Sequence, residues 1–232
     1  MIAVEGVFKS LRGQVILDNI SLEVPDAGIV AVLGPSGAGK TVLLKIIAGI
    51  MHPDSGRVIY DGQELRYGRF ADNEHTLAKI GFVFQGGALF DSLNVAENVS
   101  LPLKERTGLS RIEIEKRVLA VLEQVGMGAN RGLYVRELSG GMVRMVAIAR
   151  ALITEPKYIF FDEPTSGLDP LLRERICDII KSLAGTGNRS AVVVTHDIEV
   201  AKRLTDRLYI LKGCKLFVAE EIKKEDYEPA GS

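Results

Sequence analysis

The chain has 232 residues, with 29 Lys plus Arg against 30 Asp plus Glu, for a formal charge of −1. At 47% hydrophobic and 25% charged residues it falls among globular chains, which excludes disordered and collagen-like classes. The near-zero charge argues against a nucleic-acid partner, which needs a basic face, and no apolar run nears the roughly 18 residues of a membrane span. The mean hydropathy of +0.15 is high for a chain without such a span. Glu5 follows Met1 closely and no basic-then-apolar pattern opens the chain, so no secretory signal is expected. Cys177 and Cys214 lie far apart without metal spacing and read as buried thiols.

Val15 to Val24 alternates apolar and polar residues and ends at Pro25, which predicts a strand in a partly antiparallel sheet. Ile29 to Leu33 is a continuous apolar run, the pattern of a strand buried on both faces. Lys40 to Met51 reads as a helix stopped by His52-Pro53-Asp54-Ser55-Gly56. Arg57 to Tyr60 reads as a strand into an Asp61-Gly62 turn, and Ile80 to Phe84 as another strand. Ser110 and Glu113 form a capping-box pattern, followed at helical spacing by Ile114, Val118, Val121, Leu122 and Val125. Gly126 and Gly128 end that helix. A second helix is expected from Ser139 to Ile153, ahead of Pro156. Buried-strand patterns return at Tyr158 to Phe161 and Ala191 to Val194. The alternation predicts an α/β core over about 1–88 and 156–220, a helical insert over about 89–155, and a short charged tail at 221–232. The whole is read as one domain.

Gly34-Pro35-Ser36-Gly37-Ala38-Gly39-Lys40-Thr41 fits GxxxxGK[ST]. The glycines let the backbone wrap a phosphate with its N–H groups inward, and the helix starting near Lys40 adds its positive end. Lys40 would pair with β- and γ-phosphate oxygens, and the Thr41 hydroxyl would hold Mg²⁺. The bland alternative is a Gly-rich turn beside a solvated lysine. An acidic partner is expected at a buried strand end, and Tyr158-Ile159-Phe160-Phe161-Asp162-Glu163 supplies it. Asp162 would steady Mg²⁺, and Glu163 could polarise the attacking water as general base. Gln85 and His196 also follow buried strands, and such strand ends point at the ligand in an α/β sheet. Gln85 could sense Mg²⁺ and the γ-phosphate, and His196 could hydrogen-bond the γ-phosphate. Leu138-Ser139-Gly140-Gly141-Met142 opens a second helix suited to an anion, although the chain has only one P-loop. It is either an ordinary cap or part of the site of another subunit in a two-fold dimer.

The P-loop, Gln85, LSGGM, FFDEP, Ser166-Gly167-Leu168-Asp169 and His196 together resemble the ordered motif set of an ABC-transporter ATPase, over about residues 1 to 217. That resemblance implies a RecA-like P-loop NTPase core with an N-terminal antiparallel β subdomain and an inserted α-helical subdomain. It implies ATP and Mg²⁺ as ligands, with Val42 joining the P-loop set. It also implies a homodimer closing head-to-tail over two ATP molecules. Ser139, Gly140, Gly141 and Met142 would then serve the partner's ATP, and Asp169 would cross the interface. Two residues depart from the family pattern. Met142 replaces the usual glutamine of LSGGQ, and Leu11 falls where an aromatic residue usually stacks on adenine.

LSGGM, and Phe84 to Phe90 with Val95 to Leu103 after it, are similar to the ATPases of MCE-associated lipid transporters, the maintenance-of-lipid-asymmetry (Mla) type. This implies an integral membrane permease and a periplasmic MCE lipid-binding protein as partners. It also implies a peripheral place on the cytoplasmic face of the inner or plasma membrane. Leu89, Phe90 and Leu93 could form an apolar groove for a short permease helix, or simply pack the insert on the core. A C-terminal clasp on the partner is not expected, since the chain ends soon after Phe217. The alternatives are an ABC ATPase for another solute, a soluble ABC ATPase acting on DNA or ribosomes, and a non-hydrolysing nucleotide binder. Intact Lys40 and Glu163 argue against the last.

Overall fold

The computed structural model describes residues 1–68, 70–185, 189–205 and 207–219. The expected tail at 221–232 lies outside the described residues. Ile2–Leu11 (β1) and Gln14–Val24 (β2) form a hairpin turned at Arg12 and Gly13, both at positive φ. Gly28–Leu33 (β3) leads into Lys40–Ile47 (α1). Ser55–Tyr60 (β4) and Gln63–Glu64 (β5) flank the Asp61-Gly62 turn, and Phe70–Leu77 (α2) precedes Ile80–Val83 (β6). Val95–Arg106 (α3), Arg111–Gln124 (α4) and Gly140–Leu152 (α5) lie between β6 and Tyr158–Asp162 (β7). Pro170–Gly185 (α6), Ser190–Thr195 (β8), Ile198–Leu204 (α7), Leu208–Lys212 (β9) and Lys215–Val218 (β10) complete the described elements.

Two sheets result. One is antiparallel, in the order β2-β1-β4-β5, and the other runs β10-β9-β3-β8-β7-β6. In the second, β9, β3, β8, β7 and β6 are parallel, and β10 pairs antiparallel with β9. The continuous apolar runs acquire a reason here. Successive side chains of a strand face opposite sides of the sheet. Tyr158 and Phe160 of β7 join Val192 and Val194 of β8 in a core against the antiparallel sheet and α1. Their neighbours Ile159, Phe161, Ala191 and Val193 join the core built with α3, α4, α5 and α6. Both faces of the central strands are therefore covered, as in α/β proteins generally. The fold is an α/β core with a separate antiparallel sheet and with helices α3, α4 and α5 inserted between β6 and β7. Among the described residues no helix is long and apolar enough to cross a membrane.

Three local expectations change. The helix expected over 40–51 stops at Ile47, because Gly49 takes a left-handed φ of 76° and the amides of Ile50 and Met51 turn back to the Lys45 carbonyl. β6 ends at Val83 rather than Phe84, whose carbonyl is taken by the Gly87 amide in a turn. Of the two thiols only Cys177 is buried. Cys214 sits half-buried in the β9–β10 turn, and its Sγ donates to the Val15 carbonyl at 3.1 Å. The capping box of α4 forms as expected, with Ser110 and Glu113 each receiving the other's amide. Its face Ile114, Val118, Val121 and Leu122 is buried.

Candidate functional site

The carboxyl ends of β3, β6, β7 and β8 line one edge of the parallel sheet, and each delivers a polar segment there. After β3 the chain turns at Gly34, where a Cβ would lie 2.4 Å from the Leu211 carbonyl oxygen, so only glycine fits. Gly39, the N-cap of α1, has φ 100°, and a Cβ there would also meet Ile16 Cγ2 at 2.8 Å. Lys40 follows as the first helical residue and is 6% exposed. Its Nζ donates to the Gly34 carbonyl at 2.8 Å and the Pro35 carbonyl at 3.0 Å, and sits 3.3 Å from Glu163 Oε1. The Thr41 hydroxyl donates to Asp162 Oδ1 at 2.8 Å. Burial pushes the Asp162 carboxyl above its ordinary pKa, against the pull of the Thr41 hydrogen bond, and the neighbouring Glu163 charge raises it further.

Glu163 is buried, with a left-handed φ of 48°. That conformation costs a non-glycine residue about 1–2 kcal/mol, and such strain gathers where a side chain must be aimed. The amide of Glu163 donates to the Val194 carbonyl at 3.0 Å, and its Oε2 lies 2.9 Å from His196 Nδ1. One carboxylate thus bridges the P-loop lysine and the histidine beyond β8. His196 and Gln85 face the same cleft of about 370 Å³, together with Ser36, Gly37, Gly39, Lys40, Thr41, Val42 and Glu163. Grooves of about 720 Å³ between α3 and α4, and of about 550 Å³ beside β6, are larger. Neither gathers a lysine, a carboxylate and a histidine around a helix N-terminus. The Thr41 hydroxyl, the Asp162 carboxylate and the Gln85 amide supply hard oxygen donors. They fit Mg²⁺, which takes few protein oxygens and fills its octahedron with water and phosphate.

Other expected site residues lie elsewhere. Leu11 closes β1 opposite Gln14 and is not among the residues lining the cleft, whereas Ile16 is. Ser139 caps α5, accepting from the Met142 amide at 3.3 Å, and is exposed. Gly140 faces open space, while a Cβ on Gly141 would lie 1.9 Å from Leu172 Cδ2 of α6. A side chain at the second glycine would have to push the half-buried Leu172 side chain aside. Met142 packs half-buried on the helical-side core. Asp169 is exposed and caps α6, accepting from the Leu172 amide at 3.0 Å. None of residues 139–142 or 169 lines the chain's own cleft. Sequence reading missed Ile16 on the cleft, and gave Ser166, also there, no role beyond its place in the Ser166-Gly167-Leu168-Asp169 motif. It also missed Arg173, whose Nη1 lies 2.8 Å from Asp197 Oδ2 and ties α6 to the turn after His196. The alternation of β2 could have yielded Ile16. The arginine's partner is set by the fold and left no mark in the sequence.

The family model described as ABC transporter matches residues 17–166. The chain is 40% identical over 205 residues to the intermembrane phospholipid transport system ATP-binding protein MlaF of Haemophilus influenzae, covering 88% of this chain and 77% of that protein. It is 42% identical over 208 residues to the methionine import ATP-binding protein MetN 1 of Rhodopseudomonas palustris, covering 90% of this chain and 56% of that one. Among solved structures, the dimeric post-hydrolysis state of the ATP-binding cassette MJ0796 bound to ADP and Pi superposes with a TM-score of 0.86 at 34% identity. It covers 96% of this chain and 98% of that one.

Proposed function

The chain belongs to the ABC transporter family and is an ATPase, and from that premise we propose that it powers phospholipid movement by a membrane permease, as one half of a homodimer on the cytoplasmic face of the membrane. The single observation that carries the chemistry is Glu163, held between Lys40 at 3.3 Å and His196 at 2.9 Å. The P-loop amides and the N-terminus of α1 receive the phosphates of ATP. Lys40 leaves the Gly34 and Pro35 carbonyls for the β- and γ-phosphates, which frees Glu163 to take a proton from the attacking water. His196 keeps one ring nitrogen on Glu163 and offers the other to the γ-phosphate. Thr41, Asp162 and Gln85 would hold Mg²⁺, which would supply charge neutralisation on the phosphates.

The helix end at Ser139 and the cap at Asp169 stand outside the cleft of their own chain. In a two-fold dimer they serve the partner's ATP; the structural relative MJ0796 is dimeric with ADP and Pi bound, which supports a dimer. Residues 89–155 act as the helical subdomain and about 1–88 with 156–220 as the core. The groove beside β6 is lined by Ile50, Leu77, Phe84, Ala88 and Phe90, with Phe90 56% exposed. It suits an apolar helix of the permease, while Leu89 turns inward onto the helical core. The lipid reading rests on the phospholipid-transport relative, of which this chain spans 77%, against 56% for the methionine-import relative. That second relative favours transport of another solute as the runner-up. A periplasmic MCE protein completes the lipid system.

Purification of the native complex from membranes tests the reading. A permease and an MCE protein should co-purify, and Phe90→Asp should abolish the permease association. Recovery of a solute-import complex would overturn the lipid assignment. Recovery of ribosomes or DNA without a membrane protein would overturn the transport reading itself.

A further inference from the structure

We propose that Arg150, near the end of α5, is a positioning residue that fixes Gln85 in the cleft, so that the helix beginning at Ser139 also sets the γ-phosphate end of its own site. Arg150 Nη1 donates to the Ala88 carbonyl at 2.7 Å and Nη2 to the Gly87 carbonyl at 2.8 Å. A guanidinium fork pre-organises two such bonds at once, which an ammonium cannot do. Both carbonyls belong to a contorted segment, with Gly87 at φ 79° and Ala88 at φ 49°. A Cβ on Gly87 would lie 2.8 Å from Val143 Cγ1 and 3.6 Å from Ala147 Cβ. The loop therefore lies flat on the face of α5 that carries Val143, Ala147 and Arg150, at helical spacing. On the other side of Gln85, Arg144 Nη1 reaches the Phe84 carbonyl at 3.5 Å.

The backbone is thus held to α5 both before and after Gln85, while Gly86 faces open space. Arg150 and Ala88 also line the apolar groove beside β6. Any displacement of α5, whether from its Ser139 end or from that groove, moves Gln85 relative to Lys40 and Thr41. The inference rests on the reading of Gln85 as a residue acting at the γ-phosphate and Mg²⁺.

A double-mutant cycle on the full chain tests it, with kcat and KM for ATP measured for wild type, Gln85→Ala, Arg150→Ala and the pair. Arg150→Ala should lower kcat about tenfold, within the up to hundredfold cost of misplacing a catalytic group by an ångström. KM should stay within about twofold, since the P-loop holds the phosphates. Arg150→Lys should restore part of kcat. In the Gln85→Ala background, Arg150→Ala should have no further effect on kcat. An equal loss in both backgrounds would overturn the inference while leaving Gln85 in the mechanism. Wild-type kcat in Gln85→Ala alone would remove the reading of Gln85, and the inference with it. Should Arg150→Ala fail to fold, the same cycle run with Arg150→Lys decides between these outcomes.

Discussion

Glu163→Gln separates chemistry from binding. The substitution keeps the shape of the side chain, exchanges one acceptor oxygen for an NH2 donor, and removes its charge and basicity. A positioned general base contributes about 10²–10⁴ in rate, which at about 1.36 kcal/mol per decade is about 2.7–5.4 kcal/mol of barrier. The same change affects the resting protein. Lys40 and Glu163 have side chains only 6% and 8% exposed, so their pairing is little screened. Removing one partner of a buried pair outright costs about 3–5 kcal/mol. Lys40 keeps its bonds to the Gly34 and Pro35 carbonyls, however, and Asp162 is relieved of a neighbouring charge that raises its pKa. The net loss should therefore fall near the low end for a charged hydrogen bond, about 1.5 kcal/mol. For a chain of this size that lowers Tm by about 3–6 °C. Saturating ATP with Mg²⁺ should recover the difference, because the phosphates replace the lost partner of Lys40. Single-turnover hydrolysis reads the first effect, and calorimetry with and without nucleotide reads the second. Wild-type turnover in Glu163→Gln would refute its role as base, and an unchanged Tm without nucleotide would refute the Lys40–Glu163 pairing.

Gly141→Ala should lower Tm, because its Cβ meets Leu172 Cδ2 at 1.9 Å. Overpacking costs about 1–3 kcal/mol, against about 1 kcal/mol gained in helix propensity. Adding Leu172→Ala should restore the melting temperature, and calorimetry of the single and double variants checks this. Asp54 ties the start of β4 to β1 by accepting from Lys9 Nζ at 2.6 Å and the Ser10 amide at 2.7 Å. The Lys9 hydrogen bond, then the Ser10 amide, hold its carboxyl down at about 2, against an ordinary 3.8. A depressed carboxyl stabilises the fold above its unfolded pKa, and that contribution fades as pH falls through the folded value. Wild-type Tm should therefore fall more steeply between pH 4 and 2 than that of Asp54→Asn. Parallel acid limbs in the two proteins would remove Asp54 from the account.

The nucleotide cleft was legible because its residues follow a simple rule. Each buried parallel strand reads as an apolar run, and the polar residue after it lies at the ligand edge. Gln85, Asp162, Glu163 and His196 were found that way, and the P-loop by its glycine spacing. β1 escaped notice although Ile2, Val4 and Val7 are buried. Gly6 takes a φ of 57° and the register with β2 shifts between Val4 and Val7, which breaks the period-two signal. Spacing along the family pattern puts Leu11 at the adenine, but the Arg12-Gly13 turn leaves it outside the cleft and brings Ile16 against Gly39. Phe90 and Leu89 look alike in sequence, yet one is exposed in the groove and the other packs inward. Arg150 gave no signal, since its partners are backbone carbonyls about sixty residues away.

In the proposed dimer each active site takes Lys40 from one chain and Ser139 from the other. The most direct test mixes Ser139→Arg chains with Lys40→Ala chains, each inactive alone, and measures ATP hydrolysis. In a mixed dimer one cleft then pairs an intact Lys40 with an intact Ser139 from the other chain. Activity should reappear on mixing, up to about a quarter of wild type for random pairing of a two-fold dimer. A mixture as inactive as its separate components would contradict the shared site.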